Sequence, residues 1–323
     1  MTQPRRDHTM SMLSTGKILV TGGRNIGTLN SAELYDPVKG TWEVARSMLN
    51  TRSWHVASVL ENGKVLITGG SNYGLVLTTA ELYDPSIDIW KSISNMNHAR
   101  QYHTVSVLEN GRVLVTGGWN GVALNTAELY NPLTGTWTVI NRMNDARYHH
   151  TAITLNNGKV LIVGGQNNVP LSSCELYDPL TGHWTIAPSL IYSRYYHTAS
   201  VLRDGKVLIV GGMSFNSVLS TVELYDPLKE TWTKSTSTNL GRYQHTASVI
   251  KNGMVLVTGG LDSYDHPINA ELYDPIKDIW TPTGNMTYLR YGHAAAVIGD
   301  GRVLVTGGYD LGVLKSAELY QPF

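Results

Sequence analysis

The chain has 323 residues, 42% of them hydrophobic and 15% charged, which is enough apolar side chain for a packed core and too little charge for a disordered polyampholyte. Lysine plus arginine (25) cancels aspartate plus glutamate (25), so the basic excess of a nucleic-acid binder is missing. The single cysteine, Cys174, excludes a disulfide framework and any cysteine-held zinc or iron–sulfur cluster, and no apolar run is long enough for a membrane helix.

Residues 1–6 carry Arg5 and Arg6 but no signal-peptide hydrophobic region follows, and the sequence assigns no compartment. Length alone suggests about two domains. The repeats replace that with one array over residues 1–323. A double glycine recurs at 22–23, 69–70, 117–118, 164–165, 211–212, 259–260 and 307–308, always 47 or 48 residues apart. An Arg-x-x-His pair recurs in register from Arg5/His8 to Arg290/His293. Glu-Leu-Tyr follows each double glycine, from Glu33 to Tyr320, and a tryptophan follows at Trp42, Trp90, Trp137, Trp184, Trp232 and Trp280.

Taken in chain order, each repeat reads as four short strands. After the histidine a β-prone segment such as residues 197–202 runs to Asp204-Gly205. Asn-Gly or Asp-Gly stands there in six of seven repeats and predicts a two-residue hairpin with both central residues at positive φ. A second strand (206–210) stops at the double glycine, and a loop of roughly ten residues leads to the third strand, 222–225. Asp226-Pro227 turns into the fourth, which begins at Trp232. No helical period appears, and glycine and proline punctuate too often to permit one. Antiparallel four-stranded units at this spacing predict an all-β, seven-bladed propeller.

The Arg-x-x-His pair, the Gly-Gly after strand two, Glu-Leu-Tyr-Asp-Pro and the tryptophan six residues after the aspartate resemble kelch repeats, and the resemblance spans residues 1–323. The chain stops soon after Glu318-Leu319-Tyr320. The seventh blade is therefore expected to have three strands and an exposed edge open to self-association, unless a neighbouring segment supplies the fourth.

Positions identical in every repeat most economically serve the fold. The seven histidines read as neutral imidazoles hydrogen-bonded within each blade, and the seven arginines and glutamates as a network between strands, the arginines standing also as candidate ligand contacts. Strand direction gathers each arginine and each post-glycine loop at one mouth of the channel. In kelch adaptors that recruit substrates to ubiquitin ligases this face binds the peptide, which is what the resemblance implies here. The candidate ligand contacts at this mouth are Arg100, Arg147, Tyr148, Arg194, Tyr195, Arg242, Tyr243, Arg290, Tyr291, Trp54, Trp119, Tyr309, Asn72, Asn120 and Asn167. Tyr102, His149 and Tyr196 add to its aromatic character. Rigid rings beside arginine and asparagine suit a protein, peptide or glycan.

No catalytic signature is found: no His-Glu-x-x-His, no Walker loop, no Gly-x-Ser-x-Gly. Galactose oxidase resembles this repeat type, but its copper site needs a tyrosine joined to a cysteine, and Cys174 replaces the alanine found at 32, 80, 127, 270 and 317, a small core position. Kelch enzymes such as sialic-acid epimerases leave an Arg/Glu route on sugars as the alternative. The loop 261–267 holds Asp262, Asp265 and His266, a set that suits a divalent cation or acid/base chemistry and more simply a solvated loop. Asn285-Met286-Thr287 is a lone glycosylation sequon. The expectation is a binding scaffold with no metal, no cofactor, no nucleic-acid partner and no membrane span.

Overall fold

A computed structural model describes residues 1–264, 266, 268–284 and 286–321 of the chain. They form seven antiparallel blades, each in the sheet order first, second, third, fourth strand, and no helix. In blade one these are Thr9–Met12, Ile18–Thr21, Ala32–Asp36 and Thr41–Ala45. The first strands touch their neighbours in turn around the channel, and that of blade seven (Ala294–Val297) meets that of blade one, which closes the ring.

The second strands explain why the ring holds. They are short aliphatic runs such as Val-Leu-Ile-Val at Val160–Val163, buried at every position because a neighbouring blade covers each face. The cores accordingly straddle blade junctions. Leu161, Val163 and Cys174 of blade four pack with Val207, Ile209 and Tyr225 of blade five, and Ile18, Val20 and Tyr35 of blade one pack with Ile298 and Leu304 of blade seven.

The Asn-Gly turns differ from expectation. In the turn after Val56–Val59, Gly63 donates its N–H to the Leu60 carbonyl (2.9 Å) and Leu60 donates to Lys64 (2.8 Å), a three-residue loop rather than a two-residue one. Only Gly63 has positive φ (+78°). Asn62 is there for its side chain, whose Oδ1 accepts the Lys64 N–H (3.1 Å), and Asn110, Asn157, Asp204, Asn252 and Asp300 act alike. The double glycines are sterically required. A Cβ on Gly22 (φ +60°) would come within 2.6 Å of the Arg52 carbonyl of the next blade, and one on Gly23 (φ +88°) within 2.6 Å of the Arg6 carbonyl.

Blade seven has three strands among the described residues, ending with Ala317–Tyr320, which pairs with Val303–Thr306 on one side only. Pro322 and Phe323 lie outside the described residues.

Candidate functional site at the channel mouth

Each repeat enters its blade through four consecutive residues, Arg-x-X-His, and the fold treats the four differently. The outer two are buried. Arg147 donates from Nη1 to the carbonyls of Gly164 (2.6 Å) and Ser173 (2.9 Å), and from Nη2 to Glu175 Oε1 (2.9 Å). The Glu175 carboxylate also accepts the backbone N–H of Asn144 and Asp145, so it pins the incoming link as well as the arginine. The same pattern joins Arg5 to Glu33, Arg52 to Glu81, Arg100 to Glu128, Arg194 to Glu223, Arg242 to Glu271 and Arg290 to Glu318.

This corrects part of the sequence-based site. Arg100, Arg147, Arg194, Arg242 and Arg290 are at most 1% exposed, so the structure removes all five from the surface a ligand meets. Their charge is spent on backbone carbonyls and a carboxylate that burial would otherwise leave unpaired.

The histidines are corrected too. Each bonds across a blade junction rather than within its blade: Nε2 of His55 lies 2.9 Å from the Thr9 hydroxyl of the preceding blade, and His8 closes the ring 2.9 Å from Thr306 of blade seven. Burial pushes these imidazoles far below their ordinary range, to about 3 for His55, His197 and His293, with the neighbouring arginine charge acting in the same direction.

The two inner residues face the mouth. The residue after arginine extends the blade by exchanging backbone hydrogen bonds with the residue after the double glycine: Tyr148 with Gln166, Tyr195 with Met213, Tyr243 with Leu261, Tyr291 with Tyr309 and Gln101 with Trp119. Tyr148, Tyr195, Tyr291, Trp119, Tyr309, Asn72 and Asn167 are partly exposed there, and Asn120 is exposed at a loop tip. Tyr243 is a further correction. It is buried and belongs to the packing between blades.

The next residue inward lines the channel. Asp7, Trp54, Tyr102, His149, Tyr196 and Gln244 all sit at φ between +52° and +56°, with Gly292 at +59°. Their backbones form a ring in which the N–H of one blade donates to the carbonyl of the blade before: Trp54 to Asp7 (3.2 Å), Tyr102 to Trp54 (3.4 Å), His149 to Tyr102 (3.3 Å), Tyr196 to His149 (3.3 Å), Gln244 to Tyr196 (3.4 Å) and Asp7 to Gly292 (2.8 Å). That ring holds the left-handed backbone of six non-glycine residues and turns their side chains towards a cavity of about 420 Å³.

The cavity has two unlike walls. Trp54, Tyr102, His149 and Tyr196 pack ring against ring, with centroids 5.1, 4.0 and 3.8 Å apart. Enclosure between the two tyrosines pushes the His149 imidazole down to about 3, so it is neutral. Opposite them, Asp7 accepts a hydrogen bond from Arg24 Nε (2.6 Å), whose guanidinium lies 4.2 Å over the Trp54 ring, while Arg6 lies 4.8 Å over Tyr309. Two guanidiniums face one carboxylate, which leaves the cavity cationic. Sequence reasoning found Trp54 and missed Arg6, Asp7, Arg24 and Gln244. The signal was present: the position before each histidine is Asp, Trp, Tyr, His, Tyr, Gln and Gly in turn, the most varied site between two that never vary.

Around the cavity the post-glycine loops raise one apolar tip per blade: Ile26, Tyr73, Val122, Val169, Phe215, Tyr264 and Leu311, all exposed, Leu311 at 98%. In the loop at 261–267 the Asp262 carboxylate accepts the N–H of Tyr264 (2.8 Å) and His266 (2.9 Å). It is therefore engaged in shaping its own loop. Asp265 and Pro267, like the sequon's Asn285, lie outside the described residues. Among the described residues no group of three His, Cys, Asp or Glu could hold a metal ion. Cys174 is buried in the third strand of blade four, and burial pushes its thiol up to about 12.

Comparison with known proteins adds three findings. The family model for the KLHDC2/KLHL20/DRC7 Kelch-repeats domain matches residues 1–165 and 140–308. No curated protein matches the sequence. Among solved structures, the fold resembles a fungal alcohol oxidase of the AA5 family determined in complex with copper, with a TM-score of 0.82 and 21% identity over 99% of this chain and 74% of that one. At that identity the likeness concerns the fold.

Proposed function

The chain belongs to the kelch-repeat family, and from that premise we propose that it is a non-enzymatic binding scaffold whose channel mouth receives a protein or peptide partner. The observation that carries this reading is the crown of seven exposed apolar loop tips around a cavity walled by stacked rings. Exposed apolar side chains grouped on one face mark a protein-binding surface, and a ring-lined recess gives it a place for an anchoring side chain. The apolar crown favours a polypeptide over a glycan, and the cationic cavity favours a neutral or anionic inserted group.

The oxidase neighbour raises an enzymatic alternative, which the residues do not support. A copper centre needs several clustered donors, and the described residues offer none. Cys174 is absent from the cavity wall, and its thiol is protonated at neutral pH. An Arg/Glu route is equally unsupported, because the seven paired arginines are closed off.

Affinity capture from source lysate tests the reading, comparing the wild type with the triple variant Ile26→Ser/Phe215→Ser/Leu311→Ser and running a glycan array alongside. These side chains are exposed, so stability should change by no more than about 0.5 kcal/mol each. The expected outcome is a protein retained by the wild type and lost by the variant. Equal capture by both, or a glycan bound equally by both, would remove the function from this mouth.

A further inference from the structure

We propose that the open side of blade seven is a second binding site, one that takes an extended segment of another polypeptide bearing a tryptophan as a fourth strand. Two independent observations define the occupant. The first is what the third strand lacks. In blades one to six the tyrosine of Glu-Leu-Tyr stands opposite the fourth-strand tryptophan in the strand register, as in Tyr35↔Trp42 and Tyr225↔Trp232, with ring centroids 4.8 to 5.0 Å apart. Those tyrosines are 1–6% exposed. Tyr320 has no such ring and is partly exposed, as is Ala317, whose counterparts Ala32, Ala80, Ala127 and Cys174 are fully covered.

The second observation comes from the neighbouring blade. Five of the six tryptophans donate their indole N–H to a backbone carbonyl just past the fourth strand of the preceding blade: Trp90 to Arg46 (2.7 Å), Trp137 to Ser94, Trp184 to Asn141 and Trp232 to Pro188 (2.8 Å each), and Trp280 to Thr236 (2.9 Å). The sixth is Trp42, whose preceding blade is blade seven. It has no such acceptor among the described residues. One added strand therefore supplies an aromatic ring to Tyr320 on one side and a carbonyl to Trp42 on the other.

The register of the other blades fixes the chemistry. The segment runs antiparallel to Ala317–Tyr320, begins Thr-Trp or Ile-Trp, sets its tryptophan opposite Tyr320 and continues a few residues so that its backbone reaches Trp42. This is strand addition to a sheet edge, in which main-chain hydrogen bonds supply affinity and one side-chain pocket supplies selectivity. A second copy of this chain fits poorly. Its six tryptophan-bearing strands are already paired inside blades. Two blade-seven edges laid together would set neither a tryptophan against Tyr320 nor a carbonyl at Trp42.

The test uses a fluorescein-labelled peptide with the sequence of residues 228–238, which includes Trp232, titrated against the full chain by fluorescence anisotropy. We expect saturable binding, about tenfold weaker for the peptide carrying Trp232→Ala, since the aromatic pair is lost. Binding should be about 2- to 10-fold weaker to the protein variant Trp42→Phe, which keeps a ring and loses the N–H. Trp137→Phe, in a complete blade, should leave it unchanged. Hydrogen exchange should show new protection confined to residues 317–320. No saturable binding, equal binding of the Ala peptide, protection at the channel mouth instead, or a concentration-dependent dimer that displaces the peptide would each overturn the assignment.

Discussion

Within each Arg-x-X-His entry, two regions of the molecule lie side by side and obey opposite rules. The arginine and histidine form a ring of anchors in which every blade repeats its neighbour, down to the same carbonyl, carboxylate and hydroxyl partners. The residues between them form the channel ring, in which no two adjacent blades carry the same side chain at the innermost position. The backbone there is as regular as in the anchors, since the same left-handed conformation and the same junction hydrogen bonds recur. Only the side chains differ. A junction needs the same bonds seven times, whereas a ligand entering along the axis meets all seven positions at once and is distinguished by their differences.

The largest effect that would sharpen this contrast is acid destabilisation of the anchors. Their imidazoles sit far below the ordinary histidine value of about 6.5 because burial and the arginines disfavour charge. Below that value the unfolded chain binds more protons than the folded one. Stability is therefore full above about pH 6.5 and falls as pH drops towards 3, by up to roughly 2 kcal/mol per ring at pH 5. Calorimetry at pH 7, 6 and 5 should show a steep fall in Tm. An unchanged Tm would mean that protons reach the anchors freely, and the distinction between anchors and channel would fail.

Next in size is Glu175→Ala, which strands the Arg147 guanidinium in the interior and should cost about 3–5 kcal/mol in a urea titration. Glu318→Ala in blade seven should cost less, because the Glu318 side chain is already 21% exposed where no outer strand covers it. Equal losses would show that burial is not what makes the pair matter.

The fold was legible because the repeat is redundant: any one Gly-Gly or Glu-Leu-Tyr is weak evidence, and seven copies in phase leave one architecture. Three local points were not legible for identifiable reasons. Asn62 and its equivalents accept hydrogen bonds through their side chains, so Asn-Gly here marks a three-residue loop although the dipeptide more often marks a shorter one. The histidine's partner lies roughly 47 residues away in the preceding blade, which no local spacing reveals. The arginines follow the strand direction to the mouth, as expected, but their side chains turn inward to Glu and carbonyl partners, and sequence order cannot give that orientation. The channel wall was half legible. Its aromatic members drew notice as rings, while Asp7, Arg24 and Gln244 looked ordinary until the shared backbone conformation grouped them.

The smallest predicted effect is the one that bears most on the channel side. Trp54 is partly buried, carries the Arg24 guanidinium on its face and starts the stack that continues through Tyr102. If its role is at the mouth, Trp54→Leu keeps apolar bulk at the junction and removes the cation–π contact, at a cost of about 1 kcal/mol in thermal or urea melts. Arg24 keeps its hydrogen bond to Asp7, so the acidic wall stays in place. Partner affinity should fall by more than the stability change accounts for, since an anchoring side chain would lose a wall of its recess. If Trp54 instead serves packing between blades, the same substitution should behave as a core truncation, with a loss of about 3 kcal/mol and partner affinity unchanged. The two results differ in both readouts, so a single variant decides whether the varied ring is built for a ligand or is only a looser part of the scaffold.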